Sequence, residues 1–249
     1  MDLVKLLGYG YVIPWTISAY PPIYHNWHHK SASATSMDFV MLNVFGYLYL
    51  LVSLWLQLFY WLEGSQTTPG ISRPKVTAFD FYYCLHGFIM NLVLLSQIIW
   101  GNALWSFTKG GSVRMKPIYS KILGLSIILC LLSTSQILWQ GSQFGWDNQN
   151  TLVFCNKLYL LKICMSLIKY LPQVRHNYDR KSMNGFPIQS VACDILGSVC
   201  SLSQLSLQIA RDEPVFNLEV VVANFGRIGI AMLTLFFNFV YISQWLVYR

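Results

Sequence analysis

Two stretches of this chain share one pattern: WTISAYPPIYHNWHHKS at residues 15–31 and SLIKYLPQVRHNYDRKS at residues 166–182. At an offset of 151 residues, five polar or special residue types fall on each other. They are Pro21, His25, Asn26, Lys30 and Ser31, which match Pro172, His176, Asn177, Lys181 and Ser182. Chance identity between apolar segments supplies valine and leucine pairs, but not these five types in one register. We therefore predict an internal duplication.

The composition indicates a polytopic membrane protein. Of the 249 residues, 55% are hydrophobic and only 11% are charged. A soluble domain carries about 25% charged residues, so these charges are too few for a water-facing surface. The net charge of +7 is attributed to basic cytosolic loops, because no basic and aromatic patch is long enough to follow a phosphate backbone. We expect membrane lipid, and no nucleic acid, among the partners.

Seven stretches are apolar enough over the roughly 20 residues that a helix needs to cross a bilayer. The predicted spans are Leu3–Tyr24, Asp38–Leu62, Thr77–Trp100, Ile118–Gln140, Thr151–Gln173, Gln189–Ala210 and Leu218–Val247. Their connections are short, which leaves no room for a second domain. The distribution of Lys and Arg over the loops predicts a luminal N-terminus and a cytosolic C-terminus.

The duplication and the orientation together predict the fold class. Both copies of the quoted pattern lead into cytosolic loops, so the first helix of each copy must point the same way. Three helices end on the side opposite to their start, so one linker helix must separate the copies. We predict an all-α membrane protein of seven transmembrane helices: a triple-helix repeat at 1–110, a linker helix at 111–145 and a second repeat at 146–249. Parallel repeats of this kind are a transporter architecture.

Each copy has proline where its first helix nears the cytosol. Proline removes a backbone donor and kinks a helix, and in lipid such a break is tolerated where it lines a cavity or packs on a neighbour. We interpret Pro21, Pro22, Pro172 and Gln173 as gating hinges. A static kink is the alternative.

Ionisable residues inside the predicted spans are candidate functional residues, because each costs about 2.5–3.5 kcal/mol near the bilayer centre. They include Asp80, His86, Lys157, Lys162, Lys169, Asp194 and Arg227. Lys162 and Lys169 lie about two turns apart on one helix face, and Asp194 follows on the next helix. A basic pair that faces a carboxylate suits a zwitterionic solute, although a structural ion pair fits the same residues.

No motif for catalysis or for a cofactor occurs. The chain has no HExxH, no GxSxG and no P-loop sequence. His25, His28 and His29 cluster, but no carboxylate or thiol is spaced to complete a metal site. We predict a protein that is not an enzyme and has neither cofactor nor metal.

The two quoted stretches resemble the PQ-loop motifs of the cystinosin family. The likeness extends through Ser36–Asn43, Asp80–His86 and Val247–Arg249, and the paired prolines are similar to those of the short fungal cystinosin-like proteins. The resemblance implies a proton-coupled transporter that exports L-cystine from the lysosome or vacuole to the cytosol, so the expected location is a lysosomal, vacuolar or endosomal membrane. L-cystine and protons are thus the expected partners, and regulatory proteins on the cytosolic loops are a further expectation.

The resemblance, together with the charge pattern, also implies residue roles. Substrate binding falls to Trp15, Asn43, Lys162, Lys169, Tyr170, Asn177, Ser190 and Arg227, and proton coupling falls to Asp194, Asp80 and His86.

Four residues depart from the family pattern. Pro22 replaces the usual glutamine, Ser190 replaces an asparagine, and Arg227 and Asn238 stand where a lysine and an aspartate are expected. Two alternatives therefore stay open. One is a PQ-loop transporter of another amino acid or a sugar, and the other is a transport-deficient membrane receptor or regulatory scaffold.

Overall fold

A computed structural model describes residues 2–32, 35–62, 71–108, 113–181, 188–212 and 218–248. Within these ranges, the side chains of residues 172, 173, 175, 176, 180, 188 and 189 lie outside the description. The described residues form helices and no β-strand.

The helices follow each other along the chain with short connections. They are α1 (Leu3–Ile17), α2 (Tyr20–His28), α3 (Met37–Phe59), α4 (Ala78–Ile99), α5 (Gly101–Trp105), α6 (Pro117–Phe144), α7 (Asn148–Arg180), α8 (Ile188–Asp212), α9 (Leu218–Ala223) and α10 (Phe225–Val247). Among the described residues, six helices are long and apolar enough to cross a membrane: α3, α4, α6, α7, α8 and α10. The all-helical membrane architecture is therefore confirmed.

The first predicted span, Leu3–Tyr24, consists of two helices. α1 ends at Ile17, and α2 begins at Tyr20 with Pro21 and Pro22 in its first turn. Proline suits that turn because the first N–H groups of a helix have no partner within it. α1 has 15 residues, fewer than the roughly 20 that cross a bilayer. The prediction of one continuous helix is wrong here, and the count of seven transmembrane helices stays a prediction.

Two other predicted boundaries also move. α7 continues beyond the predicted end at Gln173 to Arg180. The predicted span Leu218–Val247 is divided at Asn224 into α9 and α10. The Asn224 side chain and the Asn224 N–H group both donate to the Val220 carbonyl, at 2.9 and 3.2 Å, and an added side-chain bond of this kind bends a helix.

The two copies of the quoted pattern differ in helix continuity but share the backbone conformation at their last lysine. α7 crosses Pro172 as one helix, whereas the first copy is broken between α1 and α2. Both copies then reach a lysine in the left-handed region, Lys30 at φ 47° and Lys181 at φ 49°. The Lys30 and Lys181 N–H groups donate to the carbonyls three residues earlier, those of Trp27 and Tyr178, at 3.4 and 3.3 Å. Left-handed residues of this kind terminate helices.

The chain forms two compact units. The α8 unit comprises Met1–Ser18, Ser72–Lys75 and Ile163–Arg249, and the α3 unit comprises Ala19–Ile71 and Val76–Lys162. In the α8 unit, α8 packs against α1 and α10. In the α3 unit, α4 packs against α3 and α2, and α3 also contacts α6. These units are spatial groupings, and the repeat boundaries stay a prediction.

Polar contacts attach α1 to α8 within the α8 unit. Nε2 of Gln204 donates to the carbonyl of Val4 at 2.7 Å. At the surface, Arg211 forms an ion pair with Asp2 at 3.0 Å, and this guanidinium holds the pKa of Asp2 below its usual range. The apolar core of the unit lies between α8 and α10 and includes Val191 and Phe237.

The α3 unit combines an apolar core with hydrogen bonds between helices. One buried cluster packs α3 against α4 through Val40, Val44 and Leu94. The hydroxyl groups of Tyr49 and Ser126 bond at 3.0 Å and join α3 to α6. Bonds of this kind compensate polar groups for the loss of water inside a membrane.

Gly87 allows the close approach of α3 and α4, and its replacement tests this packing. A Cβ at position 87 would lie 2.5 Å from Cε1 of Tyr47, whereas a Cβ at Gly124 of α6 would meet nothing within 4 Å. We expect Gly87→Ala to destabilise the protein by about 1–3 kcal/mol through overpacking. Gly124→Ala is the control, and it should be neutral or slightly stabilising because alanine favours helix. Thermal unfolding in detergent compares the two, and equal midpoints would contradict the packing argument.

Candidate functional site

The α8 unit brings four of the predicted site residues together around Asp194 of α8. The Trp15 Nε1–H group donates to the Asp194 backbone carbonyl at 3.3 Å. The half-buried Lys169 of α7 interacts electrostatically with the Asp194 carboxylate. The Ser18 hydroxyl, which donates to the Trp15 carbonyl at 2.8 Å, lies beside this carboxylate. The arrangement places a cation and an anion side by side within apolar helices, where a carboxylate needs such partners.

Aromatic rings lie beside this charge pair. Tyr170, the fourth predicted residue, stacks on Phe237 with ring centroids 4.8 Å apart, and its ring meets that of Tyr241 edge-on at 6.3 Å. Nζ of Lys169 lies 5.0 Å from the centroid of the Tyr170 ring, within cation–π range. The cluster therefore offers charged, hydrogen-bonding and apolar surfaces at one place.

The Trp15 ring packs directly against Gly197 of α8, in space that a larger residue at position 197 would fill. A Cβ at Gly197 would lie 2.6 Å from Nε1 of Trp15. Gly197 is three residues after Asp194, on the same face of α8. The glycine thus lets α1 approach α8 at the level of the carboxylate.

The structure surrounds Arg227 of α10 with acceptors from its own unit. Its Nε donates to the Ser201 hydroxyl at 3.2 Å, and its Nη2 donates to the Ser201 carbonyl at 3.2 Å. Nη2 also bonds the side-chain oxygen of Gln204. Nη1 donates to the carbonyl of Lys75 at 3.0 Å and to the side-chain oxygen of Gln208 at 3.3 Å. These contacts assign Arg227 a part in holding α8 and α10 together, and its predicted contact with substrate stays a prediction.

The other predicted residues of the α8 unit lie on α7 and α8. Asn177 is buried, and its amide nitrogen donates to Oε1 of Gln244 at 3.1 Å. Ser190 is half-buried in the first turn of α8. The side chains of Pro172 and Gln173 lie outside the described part of the chain, so their hinge role stays a prediction.

The α3 unit holds Lys162 and Asn43. Lys162 is 5% exposed, and its Nζ lies 4.0 Å from the centroid of the Tyr47 ring. The Tyr47 hydroxyl bonds that of Tyr83 at 3.0 Å, which fixes the ring beneath the ammonium group. Asn43 is buried one turn before Tyr47 on α3. Lys162 and Lys169, predicted to act as one basic pair, thus have their described contacts in different units.

Asp80 and His86 lie on α4 in the α3 unit. Asp80 closes a capping box at the start of this helix: its carboxylate accepts from Thr77 N–H at 2.8 Å and from the Thr77 hydroxyl at 2.7 Å. Nε2 of His86 and the Tyr20 hydroxyl lie 3.0 Å apart. Nδ1 of His86 is buried and has no hydrogen-bond partner among the described residues. The proton-coupling role of both residues stays a prediction.

Three contacts at these sites were missed by the sequence reasoning. Tyr47 supports Lys162, while Ser18 and Tyr241 both interact with Asp194. Tyr47 follows the predicted residue Asn43 by four positions, so helical spacing could have found it. Ser18 follows the predicted residue Trp15 by three positions, so the same spacing could have found it. Tyr241 carries no signal in the sequence, because its proximity to Asp194 depends on packing between distant helices.

Comparison with known proteins defines the class of this molecule. The PQ loop repeat family matches residues 3–63 and 154–212, one match in each predicted copy. The fold and these matches define a membrane protein built on PQ-loop repeats. The chain is 51% identical to "Cystine transporter" of Saccharomyces cerevisiae over 100% of its own length and 95% of that relative.

Animal relatives are more distant and longer. The identity is 25% to "Cystinosin" of Bos taurus, over 96% of this chain and 61% of that protein. It is 27% to "Cystinosin homolog" of Caenorhabditis elegans, over 97% of this chain and 56% of that protein. The chain belongs to the cystinosin family, and the resemblance inferred from its motifs is confirmed.

The contacts of Arg227 predict a strong dependence of stability on this residue. Arg227→Lys keeps the charge, but a single ammonium cannot reach all the acceptors that the guanidinium bonds. We expect the free energy of unfolding to fall by about 1.5–3 kcal/mol, the range for hydrogen bonds to a charged group. Arg211→Lys, which alters an exposed ion pair, should lower the free energy of unfolding far less.

Denaturation in detergent measures both variants. Equal stability of Arg227→Lys and Arg211→Lys would contradict the assigned role of Arg227.

Proposed function

We propose that this chain is a proton-coupled transporter that carries L-cystine from the lumen of the lysosome or vacuole to the cytosol. The observation that carries the proposal is the charge pair of Lys169 and Asp194 beside Trp15 and Tyr170. The name of the S. cerevisiae relative, which matches along the whole chain, supports cystine as the solute.

The chemistry of the Lys169–Asp194 pair suits an amino-acid solute. Each half of cystine carries an ammonium and a carboxylate group, so a binding site must offer both signs of charge. Lys169 supplies a cation for a carboxylate, and a charge-assisted bond of this kind is stronger than a neutral one. The rings of Trp15 and Tyr170 offer apolar surface to the rest of the solute. Asn43, Lys162, Asn177, Ser190 and Arg227 complete the proposed set of binding residues.

Proton coupling is proposed for Asp194, with Asp80 and His86 as further members of the pathway. Burial disfavours the charged form of a carboxylate, whereas a neighbouring ammonium favours it. Two opposing influences suit a group that takes up a proton on one side of the membrane and releases it on the other. A neutral Asp194 also removes a charge that resists movement through an apolar environment.

The proposed topology has seven crossings, with the N-terminus luminal and the C-terminus cytosolic. α1 and α2 together supply the crossing that neither makes alone, and the repeats comprise 1–110 and 146–249 with a linker at 111–145. Pro21, Pro22, Pro172 and Gln173 act as hinges during alternating access. Regulatory proteins bind the cytosolic loops.

A membrane receptor or scaffold that has kept the fold without transport is the second candidate. Asn238 favours it: this buried amide stands where the family pattern has an aspartate, and an amide cannot titrate. Uptake of labelled cystine into proteoliposomes with an imposed pH gradient separates the two candidates. Folded protein without pH-dependent uptake would support the receptor, and competition by other amino acids or sugars identifies a different solute.

Replacement of Lys169 tests the proposed binding site. Lys169→Gln removes a charge-assisted bond worth about 1.5–3 kcal/mol, so we expect cystine affinity to fall by roughly 10- to 100-fold. Lys157→Gln is the matched control on the same helix, because Nζ of Lys157 bonds Gln136 at 2.8 Å and has no proposed substrate role. Equilibrium binding to purified, folded variants gives the result, and unchanged affinity in Lys169→Gln would overturn the assignment.

Replacement of Asp194 tests proton coupling. Asp194→Asn resembles the protonated state permanently, so we expect cystine binding to survive while net current and stimulation by acidic lumen are lost. Asp147→Asn is the control, because Asp147 accepts from Asn150 N–H at 2.7 Å at the start of α7, and asparagine caps a helix equally well. Solid-supported-membrane currents over a range of luminal pH compare the variants. Electrogenic, acid-stimulated flux in Asp194→Asn would show that the proton takes another route.

A further inference from the structure

A pair of buried amide side chains joins α2 to α4 in the α3 unit. Nδ2 of Asn26 donates to Oε1 of Gln97 at 3.2 Å, and Nε2 of Gln97 donates to the carbonyl of Ile23 at 3.3 Å. Both side chains are buried. Gln97 therefore holds α2 at two points just after Pro22, one on a side chain and one on the backbone.

The α8 unit contains the same arrangement between α7 and α10. Nδ2 of Asn177 donates to Oε1 of Gln244 at 3.1 Å, and Nε2 of Gln244 donates to the carbonyl of Val174 at 2.8 Å. Both side chains are again buried. In each unit, a glutamine bonds the asparagine of the quoted pattern and the carbonyl three residues before it. We call each of these arrangements an amide bridge.

The repetition of the amide bridge does not follow from residue spacing alone. Asn26 and Asn177 are 151 positions apart, but Gln97 and Gln244 are 147 apart. The copies therefore differ by four residues between asparagine and glutamine, and their first helices also differ, since only one is broken. Two copies that have diverged this far still form the same two bonds. Because both copies keep these two bonds, we infer that the amide bridge has a role in function as well as in the stability of each helix pair.

The strength of an amide bridge suits a contact that forms and breaks. A hydrogen bond between polar side chains of membrane helices changes an equilibrium by about threefold on average. The two bonds of one bridge thus favour the closed contact by about five- to tenfold. This is enough to bias the populations of two conformations and too little to prevent their exchange.

We propose that Gln97 and Gln244 are the latch residues of a duplicated gate. Each holds the segment that follows the proline of its copy against the last long helix of that copy, and transport requires release of this segment. The glutamines act by positioning the segment and do not touch the solute. The proposal rests on the transport function proposed above, and it adds two residues to which the sequence pattern had given no role.

A cysteine at position 32 reports release of the first latch. Ala32 is 0% exposed and packs in a cluster that includes Ile98 of α4, so separation of the α2 segment from α4 would expose it. The rate at which a water-soluble maleimide modifies Ala32→Cys is measured in purified protein. The chain without this substitution provides the background from the six native cysteines.

We expect Gln97→Leu to raise the modification rate of Ala32→Cys by about threefold or more. The matched control is Gln57→Leu, which removes another buried glutamine whose Nε2 bonds Ser53 within α3, and it should leave the rate unchanged. Exchange of the partners, Asn26→Gln with Gln97→Asn, keeps one amide on each helix and should return the rate toward that of the parent. An unchanged rate in Gln97→Leu, or an equal rise in Gln57→Leu, would overturn the latch.

Transport measurements separate a gate from a static brace. We expect Gln97→Leu and Gln244→Leu each to change kcat for cystine uptake at least threefold. In Gln97→Leu, whose partner Asn26 is not among the proposed binding residues, equilibrium affinity should stay within about twofold. If a leucine variant does not fold, Gln→Asn at the same position shortens the side chain and breaks the same bonds. If kcat is unchanged in both variants, the amide bridges only stabilise the fold and the gate proposal is wrong. A parent protein without cystine uptake would defeat the proposed function instead, and the labelling rates would still decide whether the latch exists.

Discussion

A polar side chain inside a bilayer must find its partner within the protein, on its own helix or on a neighbouring one, because the hydrocarbon offers no water to bond it. Arg227 shows what this constraint produces. Its guanidinium bonds residues of α8 and a backbone carbonyl of the 72–75 segment, so the charge is compensated and three parts of the chain are held in register. The same constraint acts on Asn26, Asn177 and Asp194, whose partners lie on neighbouring helices.

The first helices of the two copies end in the same way, although one is broken and the other is continuous. The first copy breaks before Pro21 and the second continues through Pro172, yet both terminate at a lysine with positive φ. A lysine in this conformation is strained by its Cβ, which glycine would avoid. The backbone conformation at the lysine and the paired amides thus persist between copies, although the course of the first helix does not.

The sequence predicted those properties that depend on residues close together in the chain. Helical length and hydropathy placed α3, α4, α6 and α8 well, and the step from Lys169 to Asp194 was found because one short loop joins their helices. The predicted pairing of Lys162 with Lys169 was less useful. Their spacing shows that they share one helix face, but it does not show which helix packs against each residue. Gln97 and Gln244 were not predicted, because they do not align at the offset of 151 residues that aligns the two copies. Their own offset is four residues shorter. Their role depends on contacts across helices that no local pattern encodes.

The close contact between Trp15 and Gly197 limits which substitutions this protein can accept during evolution. Because the indole ring of Trp15 lies where a Cβ at position 197 would have to fit, Gly197 cannot be replaced by a larger residue while Trp15 is kept. A larger side chain at position 197 is accessible only after a smaller side chain at position 15, whereas Trp15 can be replaced by a smaller residue while glycine is kept. The two positions, far apart in the chain, should therefore covary among descendants of this sequence, with the loss of the tryptophan coming first.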